Sequence, residues 1–265
     1  MGRDTGRLRE KMKIEPKIVL NPQQKVFESF VRSLPDTFDK GGRTIYKQRN
    51  EIKVFEIGGI AVNVKRYRKP HLLNRVAYTF FRSSKAERSY RYAFRLREMG
   101  IDTPEPFAYI LIKKNGLLHI SYYVCRQVPY EHTMYEFGRG GIAGRESILQ
   151  AFAVYTARLH EAGVYHRDYS PGNILFHQEG EDVRFCLVDI NRMRFGPVSV
   201  KQGCAAFARL WGPESMFRLL AERYAKERGE DVGYCVRWTL YYRRRFWNAS
   251  LRRGDLPFDW DISPA

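Results

Sequence analysis

The sequence Val164-Tyr-His-Arg-Asp-Tyr-Ser-Pro-Gly-Asn-Ile-Leu-Phe176 determines how the rest of the chain is interpreted. It contains a His-Arg-Asp tripeptide that ends at Asp168, and four residues separate this aspartate from Asn173. A second stretch, Phe185-Cys-Leu-Val-Asp-Ile-Asn191, brings Asp189 to the end of an apolar strand. Carboxylate and amide oxygens are ligands that magnesium prefers, and a carboxylate can also orient a hydroxyl group. The sequence therefore predicts that neighbouring turns bring three oxygen-bearing side chains together.

These three side chains are of the kind that phosphoryl transfer from ATP requires. A carboxylate orients the attacking hydroxyl and accepts its proton, while an amide and a second carboxylate hold magnesium at the phosphates. The spacing assigns Asp168 as the catalytic base and Asn173 and Asp189 as metal ligands. A lone His-Arg-Asp is common, and an aspartate at a strand end is often only a turn former. Here the loop, its turn, two apolar strands and the final carboxylate follow in the required order. We predict the strands at Ile174–His177 and Val183–Ile190.

Composition narrows the class of protein. The chain has 265 residues, of which 44% are hydrophobic and 14% aromatic, enough for two small lobes or one large domain. Its formal net charge of +17 predicts an anionic partner: nucleic acid, an acidic lipid surface or a phosphorylated glycan. The four cysteines lack metal-ligand spacing and are interpreted as buried free thiols of a reducing compartment: Cys125, Cys186, Cys204 and Cys235. With neither a secretory signal nor an apolar run of membrane-spanning length, we expect a cytoplasmic protein.

The first ordered strands are expected after Gly41-Gly42, and residues 1–15 are predicted to be a loose basic tail. A hairpin is predicted from Arg43–Gln48 and Ile52–Ile57, followed by a third strand at Ile60–Tyr67. A glycine-rich nucleotide loop is absent, so the polar turn at Gln48–Glu51 would take its place.

Two lysines on these strands are candidates for contacting nucleotide phosphates. Lys65 lies on the third strand, where a kinase-like fold keeps its phosphate-binding lysine. Lys53 on the second strand is the competing candidate. Lys65 is favoured because apolar residues precede it at alternate positions and would fix its direction.

From Leu72 to Met99 the pattern becomes helical and strongly basic, with Glu87 as the one acid until Glu98. In the kinase arrangement a glutamate on this helix pairs with the strand lysine, which would make Glu87 the partner of Lys65. Alternatively, Ser84-Lys-Ala-Glu87 is a capping box, in which Glu87 folds back onto the helix start. The sequence leaves both roles open.

A second hairpin is predicted from Phe107–Ile112 and Leu117–Arg126, because Asn115-Gly116 is a strong two-residue turn signal. Its second strand would run into the connector between lobes. The backbone of Arg126, Gln127 and Val128 is therefore where we expect an adenine ring to bind. A helix at Arg145–Ala162 then leads into the catalytic loop.

This order of strands and helices is that of the protein-kinase-like fold. The predicted fold class is α+β and two-lobed, with an antiparallel N-lobe sheet, one N-lobe helix and a mainly helical C-lobe. The N-lobe, at 16–127, would bind the nucleotide. The C-lobe, at 128–265, would carry the catalytic loop and the metal site.

Residues 40 to about 195 resemble the kinases that phosphorylate Kdo or heptose in the lipopolysaccharide inner core. The resemblance is carried by Tyr-His-Arg-Asp-Tyr-Ser-Pro-Gly-Asn-Ile-Leu and by Glu-Met-Gly-Ile-Asp-Thr-Pro-Glu-Pro at 98–106. It implies Asp168 as base, Asn173 and Asp189 as magnesium ligands, and Lys65 as phosphate contact. The implied reaction is ATP-dependent phosphorylation of a sugar hydroxyl, with ATP and Mg²⁺ as cofactors and a Kdo-lipid precursor as substrate.

The chain departs from regulated protein kinases after the metal site. Asp189-Ile-Asn191 stands where such kinases have Asp-Phe-Gly, and no Ala-Pro-Glu follows. These departures favour a glycan or small substrate over a peptide. The alternatives are an atypical protein kinase, an aminoglycoside-type phosphotransferase, and a pseudokinase that binds an anionic partner. The intact Asp168, Asn173 and Asp189 argue against the pseudokinase and its nucleic-acid partner.

The C-terminal part is predicted to be helical at Gln202–Arg228 and again from Cys235 to Arg253. The second of these helices mixes arginines with aromatic residues and contains no acid. It could lie in the headgroup region of an anionic membrane, pack on the C-lobe with its arginines solvated, or bind single-stranded nucleic acid. We expect a protein that is peripheral on the cytoplasmic face of the inner membrane; its oligomeric state is left open.

Overall fold

A computed structural model describes residues 16–138, 141–254 and 256–258. It divides the chain into two compact units. The first contains the described residues up to Tyr90 together with Pro106–Arg126. The second contains Arg91–Glu105 and the described residues from Gln127 onwards. Each unit has a hydrophobic core of its own. The predicted tail at 1–15 lies outside the described residues.

The first unit is built on a six-stranded antiparallel sheet in the order β1-β5-β6-β4-β3-β2. The predicted turn at Asn115-Gly116 joins the two longest strands, and both residues have positive φ, at 55° and 73°. The strands are β1 (Lys17–Leu20), β2 (Arg43–Lys47), β3 (Glu51–Ile57), β4 (Ile60–Tyr67), β5 (Pro106–Lys114) and β6 (Leu117–Arg126).

The first unit contains α1 (Glu28–Thr37), α2 (Leu72–Phe80) and the part of α3 (Lys85–Glu98) up to Tyr90, so the prediction of one N-lobe helix is wrong. The expectation that the first strands follow Gly41-Gly42 is wrong, because β1 precedes these glycines. Strand β1 pairs along β5, and α1 buries Val31 and Leu34 in the core of the first unit.

The single helix predicted from Leu72 to Met99 is wrong as well. It breaks after α2, because Ser84 caps a new helix by accepting the Glu87 backbone N–H at 3.1 Å.

The second unit is mainly helical and contains two small antiparallel sheets. The sheets have the orders β10-β9-β7 and β11-β8. The elements are β7 (His132–Thr133), α4 (Glu146–Glu161), β8 (Val164–His166), β9 (Ile174–Glu179), β10 (Asp182–Leu187), β11 (Met193–Phe195), α5 (Val200–Ala206), α6 (Glu214–Arg228) and α7 (Val232–Arg253).

Two boundaries in this unit differ from the prediction. The helix expected at Gln202–Arg228 is interrupted, because Pro213 is extended and begins α6 as its N-cap. The strand expected at Val183–Ile190 ends at Leu187, two residues before Asp189.

The basic aromatic helix α7 packs on the second unit. It buries Cys235, Thr239 and Arg243, and Arg243 donates a 2.7 Å hydrogen bond to the Gly212 carbonyl. Its outer face leaves Tyr241 and Phe246 exposed. Of the roles left open for this helix, packing on the C-terminal unit is therefore observed, but the expectation that its arginines are solvated is wrong for Arg243.

The predicted α+β class, with an antiparallel N-terminal sheet and a helical C-terminal part, is confirmed. All four cysteines are free and buried, as predicted. Within the described ranges, no helix is both long and apolar enough to cross a membrane.

A buried histidine makes the stability of the second unit depend on pH. His160 on α4 accepts a hydrogen bond from the Tyr224 hydroxyl, at 3.0 Å, and burial lowers its pKa to about 3. The unfolded chain takes up this proton near pH 6.5, whereas the folded chain stays neutral until about pH 3. Acidification within that window therefore favours unfolding.

We expect the free energy of unfolding to fall by about 1.4 kcal/mol per pH unit below about 6.5 through His160 alone. Urea unfolding at a series of pH values measures this slope. His160→Gln should reduce the slope by about this amount, while His71→Gln, at an exposed position, should leave it unchanged. An equal slope in wild type and His160→Gln would contradict the assignment.

Candidate active site

The predicted catalytic loop is held in place by a buried tyrosine. Tyr169, directly after Asp168, is 1% exposed and stacks on Phe152 of α4 with ring centroids 5.6 Å apart. Its hydroxyl lies 2.9 Å from Thr156 Oγ1, which itself donates to the Phe152 carbonyl. The tyrosine therefore donates this bond and ties the loop to α4.

The side chains of the loop are ordered by hydrogen bonds. Asn173 ends a short 3₁₀ turn, and its Nδ2 donates to the Asp168 carbonyl at 2.8 Å. This bond uses the amide nitrogen and leaves Oδ1 as the acceptor atom of the side chain. The structure thus brings Asp168 and Asn173 together, with a carboxylate and an amide oxygen on one tight turn.

His166 links this turn to the strand that leads to Asp189. Its Nδ1 accepts the Asp168 backbone N–H at 3.1 Å, so Nε2 carries the proton and donates to the Val188 carbonyl at 3.1 Å. Burial lowers the pKa of His166, which favours the neutral ring that this arrangement needs. The Val188 N–H in turn donates to the Asn173 carbonyl at 3.0 Å.

Asp189 has a left-handed backbone, with φ of 52° and ψ of 40°. Aspartate tolerates this region better than most residues, and strained backbones of this kind cluster at functional sites. Asn191 Nδ2 donates to the Asp189 carboxylate and orients it.

Residues in the stretch at 98–106 hold the backbone that leads to Asp189. The Asp102 backbone carbonyl accepts the Leu187 N–H at 2.9 Å, and Thr103 Oγ1 donates to the Leu187 carbonyl at 2.7 Å. These bonds fix the end of β10, two residues before Asp189.

Two arginines that sequence reasoning missed contact the Asp168 carboxylate. Arg192 Nη1 lies 3.3 Å from Oδ2, and Arg209 Nη1 lies 3.4 Å from Oδ1. Arg192 follows Asp189 by three residues, a proximity that could have drawn attention to it. Arg209 had no local signal, because it comes from the 3₁₀ turn Phe207–Arg209 after α5.

The two candidate lysines of the first unit differ in their surroundings. Lys53 and Lys65 point to opposite faces of the sheet, since Lys53 pairs with Val64 in the register of β3 and β4. Lys53 Nζ donates to the Phe38 and Gly41 carbonyls at 2.8 and 3.1 Å, which gives it a structural role. Lys65 is buried on β4, with Nζ 5.3 Å from the Tyr67 ring.

The remaining predicted residues lie at the ends of elements. Glu87 is half-buried in the first turn of α3, and its bond to Ser84 provides the backbone half of the capping box. Its pairing with Lys65 stays a prediction.

Arg126 ends β6 with its guanidinium 5.7 Å from the Phe107 ring. In the second unit, Gln127 Nε2 donates to the Val128 carbonyl at 3.1 Å.

The donor set fits magnesium better than a transition metal. Among the described residues, no group of three or more His, Cys, Asp or Glu side chains could hold a metal. Asn173 and Asp189 offer one amide and one carboxylate. Magnesium is usually bound by one or two such side chains together with phosphate oxygens and water.

Comparisons with known proteins show the fold and the family to which the chain is similar. No curated protein sequence matches the chain. Among solved structures, the one titled "WaaP in complex with acyl carrier protein" matches with a TM-score of 0.57 at 16% sequence identity. The match covers 90% of this chain and 98% of that one, and it shows a similar fold. The family model described as "Lipopolysaccharide kinase (Kdo/WaaP) family" matches residues 47–201, more than half of the chain. The chain therefore belongs to the lipopolysaccharide kinase (Kdo/WaaP) family.

Proposed function

We propose that this protein transfers the terminal phosphate of ATP to a sugar hydroxyl, on Kdo or heptose, of the lipopolysaccharide inner core. The observation that carries the proposal is the hydrogen-bonded set that orders Asp168, Asn173 and Asp189. Membership of a lipopolysaccharide kinase family supports the reaction class. The sugar and the dependence on ATP are the parts that need testing.

In this proposal Asp168 orients the attacking hydroxyl and accepts its proton as the bond to phosphorus forms. Arg192 and Arg209 hold the two oxygens of its carboxylate, which limits rotation of the base. A well-oriented base is effective because the reactants then meet without a further loss of rotational freedom.

Asn173 and Asp189 would hold Mg²⁺, which when bound neutralises charge on the phosphates. Lys65 would contact the phosphates, and Glu87 would orient Lys65. The backbone of Arg126, Gln127 and Val128 is the proposed adenine contact. These roles rest on the position of each residue in the fold and on the family resemblance.

The proposed acceptor indicates where in the cell the protein acts. An inner-core precursor is anchored in a bilayer by its lipid, so we propose that the protein acts as a peripheral protein on the cytoplasmic face of the inner membrane.

The test is a reaction of purified protein with ATP, Mg²⁺ and a Kdo-lipid or heptosylated acceptor. Mass spectrometry of the product should show one added phosphate, and fragmentation should assign it to a Kdo or a heptose. Aminoglycosides and a protein substrate serve as comparison acceptors. ATP turnover that depends on one of these, and not on the glycolipid, would overturn the proposal.

The arginine pair gives a graded prediction. Arg192→Gln and Arg209→Gln should each lower kcat by about tenfold, because one carboxylate oxygen of Asp168 loses its partner and the base rotates more freely. The KM for ATP should change little. Arg218→Gln, which removes a guanidinium from an exposed ion pair with Glu214, is the matched control. Wild-type kcat in both variants would show that the pair does not position the base.

A further inference from the structure

Helix α2 exposes an apolar face. Leu73 is 86% exposed, Phe80 67% and Leu72 63%, and none of the residues of α2 is buried. With 100° of rotation per residue, these three side chains lie within an arc of about 100° on the helix circumference, together with Val76. Phe81, directly after the helix, is 83% exposed.

The polar face of the same helix is the one that packs on the protein. Arg75 Nε donates to the Leu118 carbonyl at 2.9 Å, and its Nη2 donates to the Lys114 carbonyl at 3.3 Å. Thr79 Oγ1 accepts the Leu118 N–H at 2.9 Å. The helix is thus bound through its polar side to the β5–β6 hairpin. This orientation is the reverse of an ordinary surface helix, whose apolar stripe faces the core.

Basic residues surround the apolar face. Between Arg66 and Arg97 the sequence contains one acid, Glu87. The exposed basic side chains flanking α2 and at the tip of the β5–β6 hairpin are Arg68, Lys69, Arg82, Lys113 and Lys114. Charge of one sign beside exposed Leu and Phe is the pattern of a helix that lies in the headgroup region of an anionic bilayer.

We propose that α2 is the element by which this protein binds an anionic membrane surface, with Leu73, Phe80 and Phe81 inserted among the acyl chains and the basic residues at the headgroups. We take an anionic bilayer, rather than a protein, as the binding partner. Its acyl chains would cover the apolar face, and its acidic headgroups would neutralise the basic side chains, within a single interface. The biological role of this membrane contact rests on the proposed function, because the proposed acceptor is anchored in a membrane by its lipid. Membrane binding itself does not depend on catalysis.

This assigns the membrane contact to a different element from the C-terminal helix. Helix α7 packs on α5 and α6 and buries Arg243 completely. Its exposed aromatic Tyr241, at 49%, provides a comparison within the same protein.

Flotation of the whole 265-residue chain with vesicles, without nucleotide, tests the proposal. Wild type should float with vesicles that contain phosphatidylglycerol and bind pure phosphatidylcholine more weakly. The double variant Leu73→Ser/Phe80→Ser should lower the partition coefficient at least about tenfold. Lys69→Gln/Arg82→Gln should lower it by about tenfold on anionic vesicles and little on neutral ones.

Two control variants test whether loss of vesicle binding is specific to α2. Val26→Ser removes an apolar side chain that is 80% exposed elsewhere in the first unit, and Tyr241→Ser removes one from α7. Both should bind as wild type does. Loss of binding in Tyr241→Ser with retention in the α2 variant would overturn the proposal. The proposal would also be overturned if the protein did not float with vesicles and instead bound a soluble protein through the α2 residues.

Activity separates this proposal from the proposed function. On a detergent-dispersed glycolipid acceptor, the α2 double variant should turn over as wild type does, while on vesicles its rate should fall. Flotation that depends on α2 in a protein without kinase activity would overturn the function and leave the membrane contact standing.

Discussion

Asp168→Asn is expected to lower turnover at least about a thousandfold, the scale of losing a general base together with its orienting charge. The asparagine keeps the size of the side chain, so the loop bonds made by the backbone of residue 168 to His166 and Asn173 should persist. ATP binding, measured by calorimetry with Mg²⁺, should stay within a few-fold of wild type.

The matched control is Asp182→Asn, which changes an exposed aspartate at the start of β10. Its turnover should equal that of wild type. Substantial activity of Asp168→Asn in purified form would remove Asp168 from the role of base. Loss of ATP binding together with turnover would instead point to a folding defect, which thermal unfolding of the variant detects.

The second large effect is expected for Asp189→Asn. Asparagine tolerates the left-handed backbone that this position requires, so the substitution removes the charge with little added strain. We expect turnover to fall by at least about a hundredfold, since a neutral amide binds Mg²⁺ more weakly than a carboxylate does. The Mg²⁺ concentration for half-maximal rate should rise.

Nucleotide binding provides a readout that is separate from turnover. In wild type, Mg²⁺ should strengthen ATP binding in calorimetry, and in Asp189→Asn this dependence should be largely lost. Asp182→Asn should retain it. An undiminished effect of Mg²⁺ in Asp189→Asn would show that the carboxylate is not a metal ligand.

The parts of the fold that were predicted correctly depend on local signals. Asn115-Gly116 determines a hairpin by itself, because both residues accept positive φ. The catalytic loop is similarly local, since Asp168 and Asn173 are held by bonds that span only a few residues.

The parts that were missed depend on distant partners. Strand β1 is only four residues long, and it pairs with β5 about ninety residues further along the chain. A short apolar run of this kind carries no signal of its pairing. The break between α2 and α3 does have a local signal, because Ser84 is a residue type that caps the start of a helix.

The same limit applies to the candidate site and to the proposed membrane contact. Arg209 reaches Asp168 from a turn 41 positions away in the chain, so residue spacing could not reveal it. The apolar periodicity of α2 was recognisable, but periodicity shows only that a helix is amphipathic. Which face contacts the protein depends on the bonds of Arg75 and Thr79 to the β5–β6 hairpin.

The N-terminal elements β1 and α1 also determine where the chain could be shortened without loss of folding. The family-matched segment begins at residue 47, yet β1 covers the edge of β5, and α1 fills the core beneath the sheet with Val31 and Leu34. Without them, an unpaired strand edge and an apolar surface would face water, and such edges promote aggregation. The boundary of family homology is therefore not the boundary of an autonomous folding unit.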